Sequence, residues 1–107
     1  MTSLPTLRSR DTDDSRFDAD LASAPLVLVK FGAVWCPPCR ALEPVVEKLA
    51  QERSDVLVLS VDVDHAQGVS QRFGIRSVPS LIAFRGGRPI GQLVGYAPRS
   101  AIDKLLG

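Results

Sequence analysis

Cysteine is scarce in this chain: among 107 residues there are two, Cys36 and Cys39. A chain of this length that is 45% hydrophobic buries a core without covalent staples, so the pair is not required as a structural framework. Histidine is scarcer still. With His65 as the sole imidazole, the chain falls short of the four ligands a structural zinc site needs, and no metal is expected. An excess of one charge is also missing. Thirteen basic and twelve acidic residues leave a net charge of +1 with no block of either sign, so neither nucleic acid nor an anionic membrane is expected as a partner. No apolar run approaches the ~20 residues that span a bilayer. Residues 1–20 are polar and lack the apolar centre of a signal peptide, which leads us to expect a cytoplasmic protein. No repeat, linker or low-complexity segment breaks the chain, so a single domain over 1–107, a monomer, is expected. A phosphate-cradling glycine motif and a flavin site are absent as well, so no cofactor is expected beyond a cysteine dithiol.

What is present alternates between two periods. Residues 1–11 are expected to be loosely ordered, with a short edge strand around Leu4 to Leu7, and Asp11 to Asp14 supply capping side chains ahead of a helix containing Phe17 and Leu21. Leu26 to Phe31 is a continuous apolar run interrupted only by Lys30, the pattern of a central strand covered on both faces. From Pro37 to about Arg53, Leu42, Val45, Val46, Leu49 and Ala50 fall on one helical face, and Pro44 should kink that helix. Val56 to Val63 reads as a second buried strand, and Gln67 to Phe73 as a short helix closed by Gly74. Ser80 to Phe84 and Ile90 to Val94 form a hairpin about Gly86-Gly87, and a last helix runs from about Pro98 to Leu106. The order β-α-β-α-β-α-β-β-α implies an α/β fold with a mixed sheet covered by helices on both faces.

The two thiols lie where the first apolar strand gives way to the long helix, in Trp35-Cys36-Pro37-Pro38-Cys39. A sulfur at a helix start meets unpaired amides and the positive end of the macrodipole, which favour the thiolate. Cys36 is therefore the expected nucleophile. Cys39, one helical turn on, is the expected resolving thiol. Pro37 fixes φ and removes an amide that could have faced the sulfur, so Pro37 and Pro38 should leave the Cys39 amide and thiol as the main donors to Cys36.

The segments "PLVLVKF", "WCPPC", "VDVD", "FGIRSVPS", "FRGGRP" and "LVGY", with "EP" following the second cysteine, occur in an order and spacing that resemble the thioredoxin family from about Thr12 to Leu106. That resemblance implies the thioredoxin fold, a five-stranded mixed sheet flanked by four helices. It further implies a cis bond between Val78 and Pro79, a flat apolar docking surface, protein disulfide substrates, and reduction by a thioredoxin-reductase-type electron donor. By the same resemblance, Trp35 shields the site and touches substrate, while Val78, Pro79 and Gly95 line the path of an extended substrate chain. His65, Asp62 and Asp64 read as loop, turn and surface residues.

Several positions depart from the family pattern. Pro37 stands where glycine is usual, Ser60 where lysine is common and Gly32 where an aromatic is frequent. Lys30 occupies the place of a buried aspartate. Glu43, four residues beyond Cys39, falls between the two cysteines on a helical wheel. One expectation is a partly buried Lys30–Glu43 ion pair with Glu43 as proton acceptor; the alternative is that Lys30 extends to solvent and Glu43 is a surface residue. The expected function is reduction of protein disulfides by thiol-disulfide exchange. The alternatives are a disulfide oxidase or isomerase, a dedicated electron donor with a retuned potential, or a non-catalytic adaptor on the same fold.

Overall fold

A computed structural model describes residues 9–107. The elements are β1 (Ser9–Thr12), α1 (Phe17–Ala22), β2 (Leu26–Gly32), α2 (Pro37–Glu52), β3 (Leu57–Asp62), α3 (Gln67–Arg72), β4 (Ser80–Arg85), β5 (Arg88–Val94) and α4 (Arg99–Leu106). One five-stranded sheet runs in the order β1-β3-β2-β4-β5. β1, β3 and β2 are parallel neighbours, and β4 and β5 pair antiparallel beside β2. This is the mixed sheet the alternation of strands and helices implied, with four helices about it.

Alternation along β2 sorts the core into two halves, because successive side chains in a strand point to opposite faces. Leu26 and Leu28 join Leu42, Val46 and Leu49 of α2 and Ile102 and Leu106 of α4 on one face. Val27, Val29 and Phe31 join Phe17 and Leu21 of α1 and Val69 of α3 on the other. Lys30 and Gly32 continue the α2/α4 face, so the polar break in the apolar run lies under the helix that carries the cysteines.

Two N-terminal expectations change. The expected strand around Leu4 to Leu7 lies outside the described residues, but an edge strand does form at Ser9–Thr12, so residues 9–11 are paired with β3 rather than loosely ordered. Its burial is confined to Thr12 and, in part, Ser9, which is why hydrophobic patterning does not reveal it. The acidic run also caps differently. Asp13 Oδ1 accepts from the amides of Ser15 and Arg16 ahead of α1, whereas the Asp14 carboxylate reaches across to accept from Gly68 and Val69 at the start of α3, at 3.1 and 2.8 Å. α2 is continuous through Pro44. The β4–β5 hairpin closes on Gly86 and Gly87, whose φ values of 59° and 81° are the left-handed geometry a two-residue turn demands.

Candidate active site

β2 ends at Gly32, and the chain turns through Ala33 to Trp35 before entering α2. Cys36 is the N-cap of that helix, in extended conformation, with Pro37 at the first helical position. Proline fits there because an amide at the first turn has no helical acceptor. With Pro37 and Pro38 both lacking an N–H, the first amide of the helix is that of Cys39, and it points at Cys36 Sγ from 3.3 Å. Cys36 and Cys39 are joined as a disulfide, their Cα atoms 5.3 Å apart. Both are buried, with Ala33 as their immediate apolar companion and Val63 and Val78 packed alongside.

The residues singled out in the sequence separate into two groups. Val78 and Pro79 come to the disulfide: their peptide bond is cis, and Val78 O lies 3.8 Å from Cys36 Sγ. Gly95 adjoins them, its amide donating to Pro79 O at 2.8 Å, and its φ of 91° is one that favours glycine. Trp35 flanks the disulfide and is 64% exposed, as are Val34, Val94 and Tyr96 in comparable degree, so large apolar side chains face solvent on the segments beside the sulfurs. Lys30 and Glu43 form the second group, beneath and behind. Lys30 Nζ stands 3.9 Å from Glu43 Oε2, with the Lys30 side chain 14% exposed and that of Glu43 62% exposed. The cation is thus largely sunk in the fold while the carboxylate stands at its surface. Together with Ser9, Arg10, Asp11, Glu47 and Ser60 they line a polar cavity of about 360 Å³.

Two contacts were not legible in the sequence. Asp64, read as a surface acid, accepts a hydrogen bond from Trp35 Nε1 at 2.8 Å. Gly32, noted above for its departure from the family pattern, lies against the second cysteine: a Cβ there would sit 3.4 Å from Cys39 Sγ. Neither has a local signature, since each depends on which strand end faces which loop. His65 is an exposed loop residue, as read. Among the described residues no group of three or more His, Cys, Asp or Glu could hold a metal, and no helix is long and apolar enough to cross a membrane.

A cysteine pair at the carboxyl end of a central strand and the mouth of the following helix defines a thiol-disulfide exchange centre. The family profile for thioredoxin matches residues 8–107. A thioredoxin of Alicyclobacillus acidocaldarius is 42% identical over 94 residues, covering 87% of this chain and 90% of the relative. Thioredoxin-2 of Saccharomyces cerevisiae is 40% identical over 85 residues, covering 78% and 82%. Among solved structures, a point mutant of the thioredoxin from Halobacterium salinarum superposes with a TM-score of 0.88 at 34% identity, covering 99% of this chain and 93% of that one. The chain belongs to the thioredoxin family, has the thioredoxin fold, and is a thiol-disulfide oxidoreductase.

Proposed function

We propose that the protein reduces disulfides in other proteins, with Cys36 as nucleophile and Cys39 as resolving thiol. The observation that carries this reading is the Cys39 amide aimed at Cys36 Sγ at the N-cap of a sixteen-residue helix. In the dithiol form, that amide and the macrodipole lower the thiol pKa and supply a thiolate near neutral pH. The thiolate attacks a substrate disulfide, forming a Cys36–substrate bond and releasing one substrate thiolate. Cys39, as thiolate, then attacks Cys36 Sγ; the intramolecular disulfide forms, the mixed disulfide breaks, and the second substrate thiolate takes a proton from water. Two electrons pass from the dithiol to the substrate. A reductase restores them, and no bound cofactor takes part.

Substrate docking falls to the exposed apolar surface beside the sulfurs. Trp35 covers one side of an extended peptide, and the backbone about Val78 and Pro79 pairs with it, with Gly95 allowing close approach. The protein acts as a monomer in the cytoplasm.

Insulin reduction coupled to NADPH and thioredoxin reductase tests the reading. Turnover is expected with the native chain and none with Cys36→Ser, whereas Cys39→Ser accumulates the mixed disulfide. Full activity of Cys36→Ser would end the proposal. A second reading, as a dedicated electron donor with a retuned potential, is favoured by Pro37, which deprives the Cys36 thiolate of an amide; the same loss of thiolate stabilisation counts against the oxidase and isomerase alternatives. Titration against glutathione separates the roles, because every ~30 mV is a tenfold change in the equilibrium with substrate.

A further inference from the structure

The mechanism above leaves one charged group unexplained. Lys30 sits on the central strand, hydrogen-bonded through its backbone between β3 and β4, with Ser60 and Leu81 as its neighbours. Its side chain emerges on the α2 face. An ammonium so placed costs free energy unless it is paired and hydrogen-bonded. Its pairing is incomplete: the one carboxylate within 4 Å, among the described residues, is Glu43 at 3.9 Å, beyond hydrogen-bonding distance.

Position ties this cation to the second sulfur. Lys30 and Gly32 share a sheet face two residues apart, about 7 Å along the strand. Cys39 Sγ rests over Gly32, and Glu43, the carboxylate nearest the ammonium, lies one helical turn beyond Cys39 on α2. Lys30 therefore shares a sheet face with the residue that Cys39 covers, and its ammonium approaches the same helix one turn beyond that cysteine. The ionisable groups around it are of both signs. Asp11 of β1 and Glu43 and Glu47 of α2 are exposed at the cavity mouth, where water screens them. Arg10 turns away to Asp20 and Ser23, Asp62 on β3 accepts from the Asp64 amide, and Arg40 donates to Val34 O. Of these groups Lys30 is the most buried, its side chain 14% exposed, so its field is the least screened by water.

We infer that Lys30 is a positioning residue for the second half of the reaction: its buried ammonium favours the Cys39 thiolate, and the polar cavity lined by Ser60, Glu43 and Glu47 carries the released proton to water. Lys30 itself touches neither substrate nor the bond that forms. The Cys39 thiol gives its proton to water or to a carboxylate at the cavity mouth. The thiolate then expels substrate from Cys36 as described, so the inference rests on the assignment of Cys39 as resolving thiol. A positive charge in this position lowers a thiol pKa, in the direction opposite to burial.

The test separates charge from architecture. In a Cys36→Ala background Cys39 is the only thiol, and its ionisation is followed by thiolate absorbance at 240 nm against pH. Lys30→Gln is expected to raise the inflection by about one unit. Lys30→Met, which keeps the apolar stem, is expected to match it and guards against misfolding; Lys30→Arg is expected to restore the native value. With both cysteines present and Ellman's disulfide as substrate, release of the second thionitrobenzoate should slow about tenfold near neutral pH in Lys30→Gln, with the first release little changed. An unmoved or lowered inflection overturns the inference, as does slowed release without a pKa shift. A plateau rate lost in Glu43→Gln, with Lys30→Gln silent, assigns deprotonation to Glu43 and overturns it too. Should Cys39→Ser still release the second thionitrobenzoate, the resolving assignment fails whatever Lys30 does.

Discussion

The two faces of the sheet divide the work of the molecule. On the α1/α3 face, Phe17, Phe73 and Phe84 pack as a cluster, Phe73 tilted against Phe17 at 5.6 Å and edge-on to Phe84 at 5.4 Å between ring centroids. The α2/α4 face is aliphatic at its centre and turns polar toward the carboxyl end of β2, where Lys30, Ser60 and Gly32 replace what could have been further core. One face maximises burial, and the other gives up burial beside the cysteines. The difference teaches that apolar packing is withdrawn locally under the helix end that carries the cysteines, while the opposite face keeps a largely buried apolar core.

Truncation on the α1/α3 face should break this comparison most visibly. Phe84 is 1% exposed and touches both other rings of its cluster. Phe84→Ala is expected to cost about 3–5 kcal/mol by transfer and cavity terms together, measured by urea unfolding of the oxidised protein. The folded fraction should reduce Ellman's disulfide at the native rate. A changed rate per folded molecule would mean that the two faces are coupled through the sheet.

A smaller change on the other face should do the reverse. Gly32 has a φ that any residue adopts, and a Cβ there reaches Cys39 Sγ at ordinary contact distance, 3.4 Å. Gly32→Ala is therefore expected to leave stability unchanged or raise it by up to about 1 kcal/mol through the unfolded chain. The added methyl packs against Cys39 Sγ, so, if room beneath that sulfur matters to exchange, the second thionitrobenzoate release should slow several-fold while unfolding shifts slightly upward. A stability loss with unchanged kinetics would show that the space beneath Cys39 is packing room alone.

How much of this was legible depended on how local each feature is. The apolar run of β2 and the three-and-four spacing of α2 are patterns of neighbours in the chain, so strand, helix and the cysteine pair at their junction could be read directly. Lys30 could be recognised as an interruption, but where its ammonium ends depends on β1 and α2 closing over it. β1 itself escaped because Ser-Arg-Asp-Thr on a sheet edge buries almost nothing that hydrophobic patterning detects. Asp14, expected to cap the helix that follows it, accepts instead from amides of a helix fifty-four residues away. Such long-range caps follow from topology and leave no trace in spacing.

The same limit applies to Trp35, whose place beside Cys36 was evident while its anchor was not. Its indole N–H donates to Asp64 Oδ2 at 2.8 Å, and Asp64 is in turn held by the turn after β3, where its amide donates to Asp62 Oδ1 at 2.9 Å. An exposed hydrogen bond of this kind contributes about 0.5–1.5 kcal/mol, and solvent places it at the low end. If the bond holds the ring in a docking-competent orientation, Asp64→Ala should raise KM for insulin about two- to threefold with kcat unchanged, since the ring is freed without altering either sulfur. As the sole tryptophan, Trp35 also reports directly: its fluorescence anisotropy should fall in Asp64→Ala. A lowered kcat at constant KM would instead put the indole in the exchange step, and the surface beside the sulfurs would then join the polar cavity as a determinant of chemistry.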